Sequence, residues 1–156
     1  MKRRSPRKRR GLASAAGEPV TMLAQPLICV ADVQQASAWF QRCLGFVSAH
    51  GGPEYEQLTS NGVLVLQLHH WDAHEHPHFG SPQLKPYGNG VVLWFTTEHV
   101  EQDYERALQA GAQVLEPIKV NPLANHLEFW LREPNGYVVV VAGPYGELGR
   151  FAKNAA

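Results

Sequence analysis

The residues with the most chemistry to offer fall on alternate positions of one short run: His126, Glu128, Trp130 and Arg132. Leu127, Phe129 and Leu131 fill the gaps between them. Side chains alternate faces along a strand. A strand here therefore gathers an imidazole, a carboxylate, an indole and a guanidinium on one face and a wholly apolar row on the other. Cα atoms two residues apart on a strand lie roughly 6.6 Å from each other. His126 and Glu128 are thus close enough to converge on one ion or one substrate, or for either to act as a general base. Any His–Glu pair on a polar strand face has the same look, so a wet cleft mouth without function is the plain alternative.

The elements that must position this face can be read outward from it. Glu133-Pro134-Asn135-Gly136 follows the run, and Tyr137 with four valines, Val138 to Val141, follows the turn. Pro134 presets φ near −65°, Asn135 tolerates positive φ, and an Asn-Gly step between β-rich runs marks a hairpin. Upstream, strand patterns are expected over Leu23–Val30, Phe46–Ala49, Tyr55–Thr59, Val63–His69, Val91–Thr97 and Gln113–Pro117. Val120–Asn125 reads as a loop. A helix should start at Asp32 as N-cap, carry Val33, Ala36, Phe40 and Leu44 inward beside Trp39, and stop at Gly45. A second should run from His99 to Gly111 with Val100, Tyr104, Ala107 and Leu108 as its stripe. By strand parity the polar face collects Gln25, Cys29, Gln67, His69, Trp94 and Thr96 beside the His126–Arg132 set. Unpaired buried polar groups cost about 1–3 kcal/mol each, so this many on one face implies water or a ligand opposite them.

The chain of 156 residues suits one domain or two small fused repeats. It holds no run of about 18 apolar residues, so no membrane span is expected. Cys29 and Cys43 are the only cysteines and form no C-x-x-C, which points to a reducing compartment, the cytoplasm. The balanced charge conceals an uneven distribution. Seven of the fourteen basic residues lie between Lys2 and Arg10. Beyond Thr21, seven basic side chains face thirteen acidic ones, an acidic body suited to cationic ligands. Residues 1–21 are expected to be a disordered basic tail. That tail could serve nucleic-acid binding or nuclear import, or could precede a true start at Met22; no apolar h-region follows it as a secretory signal would require. No nucleic acid is expected for the folded domain.

The order strand, helix, strand, strand, strand occurs twice, in modules 23–69 and 91–142. A loop over 70–89 separates them and carries His70, Trp71, His74, His76, His78 and Phe79. Histidine-rich tracts can bind zinc or nickel, and the plainer expectation is a solvated lid over a cleft. Residues 145–156 are expected to be a poorly ordered C-terminal tail. The fold class is α+β: two tandem βαβββ modules forming a curved mixed sheet around a central cleft, with helices outside.

The residues Val30-Ala31-Asp32-Val33, Trp39-Phe40, Leu44-Gly45-Phe46, Tyr104-Glu105-Arg106-Ala107, Ala110-Gly111-Ala112 and Glu133-Pro134-Asn135-Gly136-Tyr137 carry a resemblance. The chain resembles the vicinal oxygen chelate superfamily, which includes glyoxalase I, extradiol dioxygenases, fosfomycin-resistance enzymes and bleomycin-resistance binding proteins. The resemblance covers residues 22–144 and implies a fold, a small-molecule ligand and frequent homodimers rather than one chemistry. Metal-dependent members place one ligand on each of four strands, and those positions here match Gln25, Gln67, Val92 and Val140. Valines cannot ligate and amides are weak neutral ligands, so the usual metal centre is expected to be absent.

Two function classes follow. One is a metal-free binding protein of the bleomycin-resistance type. Its ligand would stack on Trp94 and Trp130 and be oriented by Gln25, Gln67, His69, Thr96, Glu128 and Arg132. The other is an enzyme, a lyase, isomerase or dioxygenase, with His126 and Glu128 as catalytic groups. It would work without a cofactor, or with a divalent metal relocated to His69, His126 and Glu128.

Overall fold

The computed structural model describes residues 24–71 and 78–148. The basic tail, Met22, Leu23, His74 and His76 lie outside those residues, as does most of the expected C-terminal tail.

The duplication is present. Leu27–Val30 (β1), Val33–Leu44 (α1), Val47–Ser48 (β2), Tyr55–Ser60 (β3) and Val63–His70 (β4) form the first module. Val92–Thr96 (β5), Val100–Gln109 (α2), Gln113–Asn121 (β6), His126–Arg132 (β7) and Val138–Ala142 (β8) form the second. Each module has one four-stranded mixed sheet, ordered β1-β4-β3-β2 and β5-β8-β7-β6. In each, the first strand runs parallel to the last and the remaining pairs are antiparallel. The registers correspond too. Leu27 pairs with Gln67 and Trp94 with Val140, and Leu27 and Trp94 hold the same place relative to the N-caps Asp32 and His99.

The helices form where the caps direct. Asp32 Oδ1 accepts from the Gln35 N–H at 2.8 Å, and Gly45 takes φ 71°, which a residue with a side chain adopts only at a cost. α1 buries Val33, Ala36, Trp39, Phe40 and Cys43. α2 lacks a side-chain cap at His99, and Leu108, expected in its apolar stripe, stays half exposed. The two helices touch each other, and one core takes Val30, Phe40, Leu58, Leu66 and Leu68 from the first module and Ala107, Phe129, Leu131 and Val139 from the second.

The turn after β7 fastens the modules together. Its own bonds are Gly136 N–H to Glu133 O at 2.8 Å and Glu133 N–H to Tyr137 O at 2.9 Å. Gly136, not Asn135, takes the positive φ, at 102°. Asn135 is used otherwise: its Oδ1 accepts from the Ala31 N–H at 3.0 Å across the module boundary. Its own N–H and Nδ2 both donate to the fully buried Glu133 carboxylate at 2.7 Å. Tyr137 follows, donating its hydroxyl to Cys29 O at 2.8 Å.

Three boundaries differ from expectation by more than a residue or two. β1 starts at Leu27 rather than Leu23; its pairing with β4 opens at the Pro26 carbonyl, which accepts from the Gln67 N–H. Gln25 therefore precedes the strand. β6 does not stop at Pro117 but runs on to Asn121. It is an edge strand, where a missing N–H breaks no ladder, and the register shifts on either side of Glu116 absorb the proline. Residues 145–148, expected to be loose, are held by Gly146 N–H to Ala124 O and Leu148 N–H to Asn125 O.

Candidate functional site

Register fixes which side chains share the outer face of the second sheet. Trp94, Val140 and Trp130 form one row across β5, β8 and β7; Thr96, Ala142, Glu128 and Lys119 form the next, and Asn121 faces His126. Phe129 and Leu131 point the other way, fully buried in the core. The alternation expected of β7 therefore holds.

Glu128 is the centre of this face. Glu128 is 2% exposed and His126 is 4% exposed. Trp130 Nε1–H donates to Glu128 Oε1 at 2.9 Å, Asn121 Nδ2–H donates to Oε2 at 2.9 Å, and His126 Nε2 lies 3.0 Å from Oε2. Burial pushes the Glu128 carboxyl up, but the hydrogen bonds from Asn121, Trp130 and His126 outweigh it and hold the group below its ordinary value. The site thus keeps a negative charge under an aromatic wall. Trp94, 46% exposed, stands edge-on to Trp130 with ring centroids 6.2 Å apart and lies 6.0 Å from the His126 ring. The neighbouring Lys119 ammonium pairs with Glu116 rather than with Glu128. Buried charge held by preorganised donors beside an exposed indole can receive a cation.

The first sheet carries a different network on the corresponding face. Gln67 Oε1 accepts from the Tyr55 hydroxyl at 2.6 Å, Gln67 Nε2–H donates to Gln25 O at 2.9 Å, and Gln57 Nε2–H donates to the Tyr55 oxygen at 3.0 Å. His69 Nδ1 is 2.7 Å from His70 O, with Tyr55 and Phe79 rings beside it. Cys29, paired in register with His69, is buried and borders a cavity of about 420 Å³ with Trp71, His78, Phe79 and Tyr137. Burial pushes its thiol up to about 11, so it is held as the unreactive protonated form.

The expected site residues are therefore brought together in two groups. His126, Glu128, Trp130 and Trp94 meet. Gln67 and His69 lie on the other sheet, and Gln25 reaches that group only through its backbone carbonyl. Arg132 shares the β7 face but donates Nη1–H to Gly136 O at 3.1 Å, bracing its own turn. Thr96 sits at the rim of a second cavity, of about 450 Å³, between the Phe46–Phe95 pair and the start of α2. Neither cavity is lined by His126, Glu128 or Trp130.

Asn121, Tyr55 and Gln57 belong to these networks and were not picked out by sequence. Asn121 was legible in principle: extending β6 through Pro117 pairs it with His126.

The positions where metal-dependent relatives hold an ion do not fit one here. Val92 and Val140 have no electron pair to give, and Gln67 has both amide atoms committed. Among the described residues no three His, Cys, Asp or Glu side chains converge as a metal site requires, and His69 does not join His126 and Glu128.

Comparison with known proteins agrees with this architecture. A search of curated proteins finds no match. Solved structures match at the level of fold. TioX from Micromonospora sp. ML1 superposes with TM-score 0.60 at 17% identity, covering 75% of this chain and 94% of that one. A glyoxalase-related enzyme from Fulvimarina pelagi gives TM-score 0.63 at 16% identity, covering 79% and 88%. A glyoxalase/bleomycin resistance protein/dioxygenase family enzyme from Burkholderia phytofirmans PsJN gives 0.59 at 18%, covering 76% and 96%. The family model for the Glyoxalase/Bleomycin resistance protein/Dioxygenase superfamily matches residues 22–141. With the paired βαβββ modules and a match over most of its length, the chain belongs to that superfamily.

Proposed function

We propose that this is a small-molecule-binding protein of the glyoxalase/bleomycin-resistance type whose ligand is an aromatic cation. The observation that carries the reading is the buried, ionised Glu128 carboxylate lying among His126, Asn121 and two indoles. An organic cation against Trp94 and Trp130 gains cation–π attraction and the field of that charge; an anion is repelled. The acidic body raises the local concentration of such cations.

The reading includes a homodimer. The described cavities do not enclose the Glu128 face, while Leu27 on the first sheet and Val92 and Trp94 on the second are 38%, 44% and 46% exposed. A second copy laid across these faces would cover them and bring Gln67, His69 and Thr96 toward the ligand. A stable interface of this kind buries more than about 1,000 Å². The reading also places the protein in the cytoplasm, supported by the two buried, unbridged thiols, Cys29 and Cys43. No described helix is long and apolar enough to cross a membrane.

Isothermal titration against a panel of aromatic cations tests it. Saturable binding that Glu128→Ala abolishes is expected; no binding across the panel would sink it. Light scattering of the native protein tests the dimer.

The hydrogen-bonded His126–Glu128 pair favours a second reading, an enzyme of the lyase or dioxygenase kind with a divalent metal at His69, His126 and Glu128. Within one chain His69 lies on the other sheet, so this set would close only with His69 supplied across a pairing of two copies. Metal analysis of protein prepared without chelator, repeated on His126→Ala, decides it: metal held equally by both forms removes His126 as a ligand.

A further inference from the structure

One buried atom of this face is unaccounted for. His126 is 4% exposed, and its Nδ1 has no hydrogen-bond partner. Buried polar atoms rarely stay unpaired without a reason, because the lost hydration is not replaced. The other ring nitrogen decides what Nδ1 must be. Nε2 faces Glu128 Oε2 at 3.0 Å, and Glu128 already accepts from Asn121 and Trp130 on its two oxygens. An ionised carboxylate can only accept. Nε2 therefore carries the proton, and in the neutral ring Nδ1 keeps its lone pair. The carboxylate fixes where the ring proton sits, and a ring carrying that one proton offers Nδ1 as an acceptor. The ring beside this imidazole is Trp94, at 6.0 Å, which solvent already reaches over 46% of its surface. A ligand reaching Nδ1 from the aromatic wall would have to displace that indole.

We infer that His126 Nδ1 is the specificity-determining acceptor of the site, selecting aromatic cations that carry an N–H donor, of the amidinium or anilinium kind, over quaternary ones that carry none. The inference rests on the proposed aromatic-cation site and deepens it. The wall of Trp94 and Trp130 and the charge of Glu128 recognise any flat cation; His126 adds a directional requirement that charge alone lacks. A permethylated nitrogen keeps its charge and loses the bond, leaving Nδ1 buried and unpaired, a penalty sites of this kind convert into discrimination.

Two probes of similar size separate the ideas: benzamidinium, with N–H donors, and phenyltrimethylammonium, without. Benzamidinium should bind native protein tighter by roughly tenfold or more, and His126→Phe should bring the ratio of the two affinities to about one, whatever it does to the affinity for either probe alone. Equal affinities for native protein overturn the role of His126 and leave the aromatic-cation reading standing. Binding of neither probe overturns both. Should His126→Phe fail to fold, ¹⁵N NMR of native protein serves instead. The His126 ring, assigned through its contacts to Trp94, should show the Nε2–H tautomer and a shift of Nδ1 on adding benzamidinium. An Nδ1–H tautomer, or an Nδ1 signal unmoved at saturation, overturns the inference.

Discussion

The two sheets have the same strand order and matching registers, yet their equivalent faces carry opposite chemistry. Where the first sheet places Leu27 beside Gln67, the second places Trp94 beside Val140. The first face is closed on itself: Tyr55, Gln57, Gln67 and the Gln25 carbonyl satisfy one another. The second keeps a carboxylate charged, an imidazole half satisfied and an indole in water. Duplication copied the scaffold, because backbone pairing and core volume restrain both halves alike. The faces turned away from the shared core could diverge more freely: Val140, though fully buried, lies outside the core cluster that joins the modules. Function is to be sought where the copies differ.

The largest effect should be the same in both halves. Leu66→Ala in the first core and Phe129→Ala in the second each remove a fully buried side chain and should cost about 2–5 kcal/mol in urea unfolding. One transition for both is expected, because one core spans the modules. Separate transitions would show the modules to be independent.

Next come the faces. Glu128→Gln should weaken binding of an aromatic cation by roughly 10- to 100-fold, the span for losing a charged partner. Gln67→Ala, a neutral amide on the other sheet, should weaken it by only about 2- to 10-fold. Equal losses would erase the asymmetry. Trp94→Ala should reduce affinity by roughly 2- to 30-fold through lost cation–π attraction, measured by the same titration.

The smallest effect concerns two carboxylates on the β7–β8 hairpin that respond to acid in opposite senses. Glu128 is held below its ordinary value in the folded protein, so its contribution to stability is present above the unfolded pKa and is lost as pH falls through the folded one. Burial drives Glu133 above its ordinary value despite the Asn135 bonds. Its contribution is present in acid and lost as pH rises from the unfolded value through the folded one. Unfolding of Glu128→Gln should therefore depend less steeply on acid than that of native protein, and unfolding of Glu133→Gln more steeply.

Sequence disclosed most where a rigid rule applied. The two-residue period of β7 placed His126, Glu128 and Trp130 together, and Asp32 and Gly45 bounded α1, because strand pleat and helix caps are set locally. It disclosed least where a partner decides. Pro117 reads as a strand end unless β6 is known to be an edge. Arg132 reads as a cation on the polar face, and its bond to the Gly136 carbonyl shows only once the turn has folded back. Parity placed Gln67 and His69 on an outer face correctly, but nothing in a period of two says which of two sheets faces which ligand. Asn135 announced a turn and concealed its bond to Ala31, since only tertiary docking creates it.

The bond from Ala31 to Asn135 and the one from Tyr137 to Cys29 join positions 104 and 108 residues apart. During synthesis the opening strand and the start of α1 leave the ribosome long before either partner has been made. The N-terminal half must therefore wait, with its Ala31 amide and Cys29 carbonyl facing water, until the final hairpin arrives to latch it. A ribosome that pauses before Asn135 would expose an unfinished first module, and truncation there should yield a chain that chaperones retain.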